Sequence, residues 1–295
     1  MSDEKTQKEL IAESLRKYKE GSSPVVGDSI PKFSFNKDEF EKNMSRETDP
    51  DLMTVYETIK LPSNGLFYQN GLNEVNVEYM TSKDEDLLTT PSLVENGTVL
   101  DILLKRKIKT QGVLVEDLLE GDRNAIILFL RTSSYGSNYS VQAADPRTGI
   151  AFKTSVDLLK LQYKELTELP DEYGRFTVTL PMRKKTVTIK LLSSGDIAKL
   201  LRKANDIKDA YGQEFSDFNT MKLKAHIVAI NEKTDRNYID KFVDAMPALD
   251  ALTIRKKLLE VSPDVNMQYE FTAPDGYKFK SYLSVGMDFF FPNLD

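Results

Sequence analysis

Apolar and polar positions change their period several times along this chain, and each change marks an element. Val75, Val77 and Tyr79 alternate with polar residues, the period-two signature of a half-buried strand. Residues 55–61 read as the strand before it, and the two are separated by the turn sequences Pro62-Ser63-Asn64-Gly65 and Gln69-Asn70-Gly71. Helical spacing follows. Thr81 or Ser82 can cap a helix whose first turn holds Asp84, Glu85 and Asp86, where the helix dipole favours acids. A helix is predicted over 99–109, ending in Lys105-Arg106-Lys107, and another over 122–133 with Asp122 at its cap. Strands at 139–143 and 150–156 then turn through Asp145-Pro146-Arg147-Thr148-Gly149. After a connector over 158–172, the second part of the chain gives a hairpin at 175–180 and 186–191. Ser194-Gly195-Asp196 opens a helix over 197–211, and a further helix over 221–230 carries His226. The helix over 248–260 is stopped by Ser262-Pro263-Asp264, and strands follow at 267–272 and 277–283. The predicted class is α+β.

The pattern repeats. Residues 122–153 align with 250–280, pairing Asp122 with Asp250, Ile126 with Ile254, Leu130 with Leu258, Asn138 with Asn266 and Pro146 with Pro274. After one deletion, Gly149 pairs with Gly276, Phe152 with Phe279 and Lys153 with Lys280. The strand-to-helix step VNVEYMTSKDEDLL is echoed by VTIKLLSSGDIAKLL. The chain therefore reads as an internally duplicated helix plus β-hairpin unit, with extra segments at 219–230 and 235–245 in the second copy. Duplicated units of this kind point to a scaffold more than to a catalytic pocket. The expected organisation is a first repeat domain over 54–172 and a second over 173–295, with Pro146, Gly149, Pro274 and Gly276 as the structural turns.

Residues 1–53 stand apart. Leu10, Ile11, Leu15 and Tyr18 recur at helical spacing among charged residues, and Gly21-Ser22-Ser23-Pro24 ends that pattern. The following stretch is polar, with a short helix predicted over 38–44. The segment reads either as a disordered tail or as an arm that orders on a partner; the arm, partly helical, is the expectation carried forward. At the other end, Phe289-Phe290-Phe291 must turn at least one ring off a strand's buried face. Core packing accounts for two rings. Leu10, Ile11, Leu15, Tyr18, Phe289, Phe290 and Phe291 are the candidate partner contacts.

Composition narrows the chemistry. The 295 residues carry a formal net charge of −6, against the concentrated positive charge that broad phosphate-backbone binding needs. No apolar run is long enough to span a bilayer, and the charged first residues are no signal peptide. There is no cysteine and one histidine, His226, so transition-metal ligands, thiol nucleophiles and a Ser-His-Asp arrangement have almost nothing to draw on. His226 on a mixed helical face reads as structural. Asp84, Glu85 and Asp86 point to different faces of a helix and read as a first turn, not as a cation site. The scattered glycines form no phosphate cradle. No catalytic residue, cofactor or metal is expected.

Several segments resemble one known family. Ile59-Lys60-Leu61-Pro62-Ser63-Asn64-Gly65-Leu66-Phe67-Tyr68 is similar to the "LPSxGxxY" opening of the T4-type phage baseplate hub and hub-assembly-chaperone family. Residues 79–88, Gly121-Asp122-Arg123-Asn124-Ala125-Ile126, Asp235-Arg236-Asn237-Tyr238-Ile239 and Gly286-Met287-Asp288-Phe289-Phe290-Phe291-Pro292 follow it in order. The resemblance covers about 55–292 and leaves the arm out. It implies a Cys-Pro-x-Cys-Gly metal knuckle at each hairpin corner in many relatives. Here the corners read Asp145-Pro146-Arg147-Thr148-Gly149 and Ala273-Pro274-Asp275-Gly276. The turn residues remain and the metal ligands do not, so packing of each hairpin on its helix is expected to stand in for the metal.

The resemblance implies a non-catalytic structural subunit of the baseplate hub of a contractile tail, made in the host cytoplasm and incorporated into the virion. Its partners would be other hub or tail proteins, with self-association left open, and neither nucleic acid nor membrane insertion is expected. A transient hub assembly chaperone is the alternative reading, and a cell-wall-degrading tail enzyme the third.

Overall fold

The first half is built on a hairpin of β1 (Tyr56–Lys60) and β2 (Glu74–Glu78), antiparallel with Ile59 opposite Val75. This is a computed structural model; it describes residues 55–91, 93, 98–211, 217–283 and 287–290, and the candidate contacts Leu10, Ile11, Leu15, Tyr18 and Phe291 lie outside the described residues. Helices α1 (Ser82–Leu88) and α2 (Val99–Lys107) follow, then α3 (Glu120–Tyr135) and a hairpin of β3 (Asn138–Ala144) and β4 (Ala151–Asp157). The second half repeats this order with additions. Strands β5 (Arg175–Thr179) and β6 (Thr186–Lys190) form its first hairpin, and α4 (Ser194–Tyr211), α5 (Phe218–His226), β7 (Ile227–Ile230), α6 (Arg236–Asp244) and α7 (Ala248–Val261) follow. Strands β8 (Gln268–Thr272) and β9 (Lys278–Tyr282) form its last hairpin. The α+β class holds, with four small antiparallel sheets among the described residues.

Two local expectations are corrected. The helix predicted over 221–230 ends at His226. Ile227, Ala229 and Ile230 are buried, and β7 adds antiparallel to β6, with Val187 opposite Ile230. Branched residues with one face to bury complete a sheet there in preference to another helical turn. Asp122 does not cap α3. The N-cap is Leu119, and Asp122 in the first turn accepts a hydrogen bond from the Ser63 backbone N–H at 2.9 Å. It thus fixes the turn after β1. Asp250 in the first turn of α7 does the same for the turn after β5, accepting from the N–H groups of Met182 (2.8 Å) and Arg183 (3.2 Å).

The chain buries two apolar clusters. The smaller lies within the second half and includes Phe176, Val187, Ile189, Ile230, Phe242 and Ile254. The larger begins with Ile59 and takes in the middle of α3, from Ala125 to Leu130. It also includes Val265, Met267, Phe271, Phe279, Phe289 and Phe290. The expected bodies 54–172 and 173–295 therefore do not each own one core, because residues 265–290 return to the first. The reason is aromatic: Phe279 meets Phe152 edge to face at 6.2 Å, and Phe289 meets Tyr139 at 5.0 Å. Arg131, buried in α3, donates from Nε to the Phe289 carbonyl at 2.7 Å and fixes the returning segment.

The halves approach most closely at Gly121. A Cβ there would lie 2.0 Å from the Pro263 carbonyl oxygen, so only glycine admits the loop after α7 against the first turn of α3. Asn124, one turn on, donates to Asp264 Oδ1 at 3.1 Å. Ser194, opening α4, donates from Oγ to the Val115 carbonyl and from its backbone N–H to Leu118, each at 2.8 Å.

Candidate interaction sites

Sequence treats the two hairpin corners as separate turns; the fold brings them together. Gly149 (φ +71°) and Gly276 (φ +88°) take the left-handed conformation that closes each corner, where a side chain would be strained. Arg147 then reaches across. One guanidinium nitrogen lies 2.7 Å from Asp145 Oδ2 and 2.7 Å from Asp275 Oδ2, and the group stacks over the Tyr277 ring at 3.7 Å from its centroid. The Arg147 guanidinium beside Asp145 and Asp275 holds both carboxyls below their usual range. Pro146 and Pro274 precede these contacts in each turn. A metal knuckle does not fit this site: the donors present are two carboxylates already engaged by a cation, with no thiol or imidazole among them. Among the described residues no cluster of three or more metal-ligating side chains occurs. The expectation of hairpin packing on its own helix misses the larger feature, which is that the hairpins of the two halves clasp each other.

A second polar cluster lies under the turn that carried the family resemblance. Asp122 is fully buried and accepts from both the Ser63 N–H and the Tyr68 hydroxyl. The Tyr68 oxygen in turn accepts from the Leu119 N–H at 2.9 Å. Burial pushes the Asp122 carboxyl up from 3.8 to about 6, and burial together with the Asp122 charge drives the Tyr68 phenol upward. This cluster ties the turn after β1 to the start of α3.

Sequence reasoning missed Lys107. Read there as one of three cations at a helix end, it is buried, lies 2.5 Å from Asp84 and 3.2 Å from Glu78, and donates to the Tyr79 carbonyl at 2.9 Å. Asp84 also accepts from the Thr81 N–H and hydroxyl. Burial opposes ionisation of Asp84, but Lys107 and Thr81 outweigh it and hold the carboxyl below its usual range. A lysine at helical spacing with Leu103 and Leu104, opposite an acid that opens the preceding helix, was the available signal.

His226 is also buried, and its Nδ1 donates to the Lys190 carbonyl at 2.8 Å. Burial pushes its pKa down, which keeps the ring neutral. It lines a cleft of about 350 Å³ shared by Leu119, Leu192, Leu223, Leu258 and Asp264. Phe289 and Phe290, candidate partner contacts from the sequence, are fully buried in the larger core and offer no surface to a partner in this fold. Their burial follows from the Tyr139 and Arg131 contacts above.

With this geometry in view, comparison with known families is decisive. The family described as T4 bacteriophage base plate protein matches residues 53–291. The chain belongs to that family. Neither the curated proteins nor the solved structures give a match. Membership in the T4 bacteriophage base plate family implies a structural role in the phage baseplate, a place in the virion tail, and contacts with other baseplate or tail proteins. It also suggests a role without catalysis. Among the described residues, no helix is long and apolar enough to cross a membrane. The family match begins at residue 53, so it takes in both clusters, the clasped corners and the Asp122 turn, and leaves the preceding segment out.

Proposed function

We propose that this chain is a non-catalytic structural subunit of the baseplate hub, a rigid body that joins neighbouring hub or tail proteins through its N-terminal arm. The observation that carries the reading is the interlocking of the two halves. Arg147 bridges their corners, Gly121 seats the loop after α7, and Arg131 holds the segment that returns to the first core. A body tied at three separated places resists internal hinging and transmits position from one partner to another. On this reading the contacts with partners come from Leu10, Ile11, Leu15 and Tyr18 in the arm and from Phe291 at the C-terminal end.

The alternative, a hub assembly chaperone that binds transiently, is favoured by exposed leucines on α7: Leu249 at 50%, Leu252 at 42% and Leu259 at 75%. These lie at a spacing of three and seven along one helical face and suit a reversible helix contact. Quantitative mass spectrometry of purified tails separates the two. A stoichiometric amount in mature particles is expected. Absence from particles, with abundance in infected-cell extracts, would overturn the structural reading in favour of the chaperone. Release of soluble fragments from purified peptidoglycan would overturn both.

A further inference from the structure

The cleft beside His226 sets an apolar floor beside two cations. Its floor is apolar, formed by Leu192, Leu223 and Leu258, all buried, with Leu259 exposed at the rim. Two cations, Lys222 and Arg255, also line it. Their helix neighbours are paired, Lys224 with Asp244 at 2.6 Å and Lys257 with Glu168 at 2.5 Å. Lys222 and Arg255 have no ion pair among the described residues. Of the two acids in the lining, Asp264 is occupied by Asn124 and the Val265 N–H, and Glu120 is the other. Leucines beneath unpaired cations select an acidic segment with apolar side chains on one face.

The chain itself supplies such a segment. Asp38-Glu39-Phe40-Glu41-Lys42-Asn43-Met44 holds three acids against one base, and Phe40 and Met44 stand four residues apart, on one face of the predicted short helix. The ten residues from 45 to 54 can span about 33 Å. That tether ends at Val55, whose carbonyl is held by the Tyr79 N–H at the start of β1. A continuous route joins that point to the cleft, within reach of an extended tether: β1 is about 17 Å long, its last carbonyl, Lys60, accepts from the Tyr163 hydroxyl at 2.7 Å, and Tyr163 bridges to Val265 beside Asp264. A tether that reaches the cleft makes the contact intramolecular and independent of protein concentration.

We propose that the cleft between α3, α5 and α7 binds the chain's own residues 38–44, with Phe40 and Met44 on the leucine floor and Glu39 and Glu41 against Lys222 and Arg255. The arm is thereby anchored part-way along its length. The amphipathic stretch with Leu10, Ile11, Leu15 and Tyr18 is then presented from a fixed point on the body, with no free lever of some fifty residues.

The test uses the full chain with Phe40→p-benzoylphenylalanine, illuminated at micromolar concentration and mapped by peptide mass spectrometry. Intramolecular crosslinks to residues 191–197, 219–226 and 255–264 are expected, unchanged on dilution. Adding Lys222→Glu and Arg255→Glu should cut their yield about fivefold or more, and adding Glu39→Lys and Glu41→Lys to that variant should restore most of it. Crosslinks to other parts of the body, a covalent dimer, or a yield indifferent to the charge reversals would overturn the proposal. The map of the otherwise unaltered chain decides the location even where a charge-reversed variant does not fold.

Discussion

Replacing Asp122 with asparagine tests whether the buried carboxylate under the Ser63 turn costs the fold at neutral pH. The carboxyl is fully buried and moves from 3.8 to about 6, chiefly through loss of solvent. A carboxyl whose folded value is raised holds its proton more tightly in the folded chain than in the unfolded one. The stability it lends is therefore fully present below pH 3.8 and is lost as pH rises through about 6. The displacement from 3.8 to about 6 corresponds to about 3 kcal/mol between the two ends of that window. Asp122→Asn keeps the size and an oxygen to accept the Ser63 N–H, and it cannot ionise. Its altered hydrogen bond with Tyr68 adds an offset that does not vary across this range. Urea unfolding of both chains at intervals from about pH 4 to 8 should show the wild type losing ~2.5 kcal/mol relative to the variant, most of it below about pH 6.5. A difference that stays flat across the series would refute the reasoning, because it would mean that Asp122 titrates alike in folded and unfolded chains.

Three further outcomes are expected. Lys107→Ala leaves the buried Asp84 with only the half-exposed Arg106, at 3.2 Å, as its cation and should destabilise the fold by ~3 kcal/mol in chemical denaturation, whereas Lys107→Met combined with Asp84→Asn should recover much of the loss; equal losses in both would show that the ion pair is not the cause. Arg147→Ala should raise amide hydrogen exchange at both corners, 145–149 and 273–277, with the remaining strands unchanged, and metal analysis of the purified wild-type chain should find no stoichiometric zinc. Stoichiometric zinc would contradict the Arg147 clasp.

Much of the local structure was legible because it rests on local rules. Val75 and Val77 alternate, Ser194 opens α4, Pro263 follows α7, and Gly149 and Gly276 mark corners that need a left-handed residue. The alignment of Asp122 with Asp250 was visible too, although its meaning was not. Asp122 read as a cap for its own helix and Asp250 only as its repeat partner, and both instead hold a hairpin turn, 59 residues away for Ser63 and 68 for Met182. That error is instructive, since a first-turn acid serves a helix dipole and a distant N–H equally well, and only packing decides between them. Lys107 failed for a related reason: a charge at a helix end looks solvated until an acid from another helix is set against it. The meeting of the two hairpin corners could not be read from periodicity, because Arg147 and Asp275 are brought together by the Phe152 and Phe279 rings beneath them. The placement of Phe289 and Phe290 depended likewise on Arg131, 158 residues from Phe289.

That last separation bears on how the protein is made. The larger core is closed by Val265, Met267, Phe271, Phe279, Phe289 and Phe290, so a nascent chain with its first half outside the ribosome has no complete interior to collapse onto. Until residues 265–290 emerge, the faces of α3 and of the β3–β4 hairpin stay open to solvent. Folding of the first half must then wait for closure of a very long loop, which favours slow, post-translational maturation and leaves the incomplete chain prone to aggregation in the meantime.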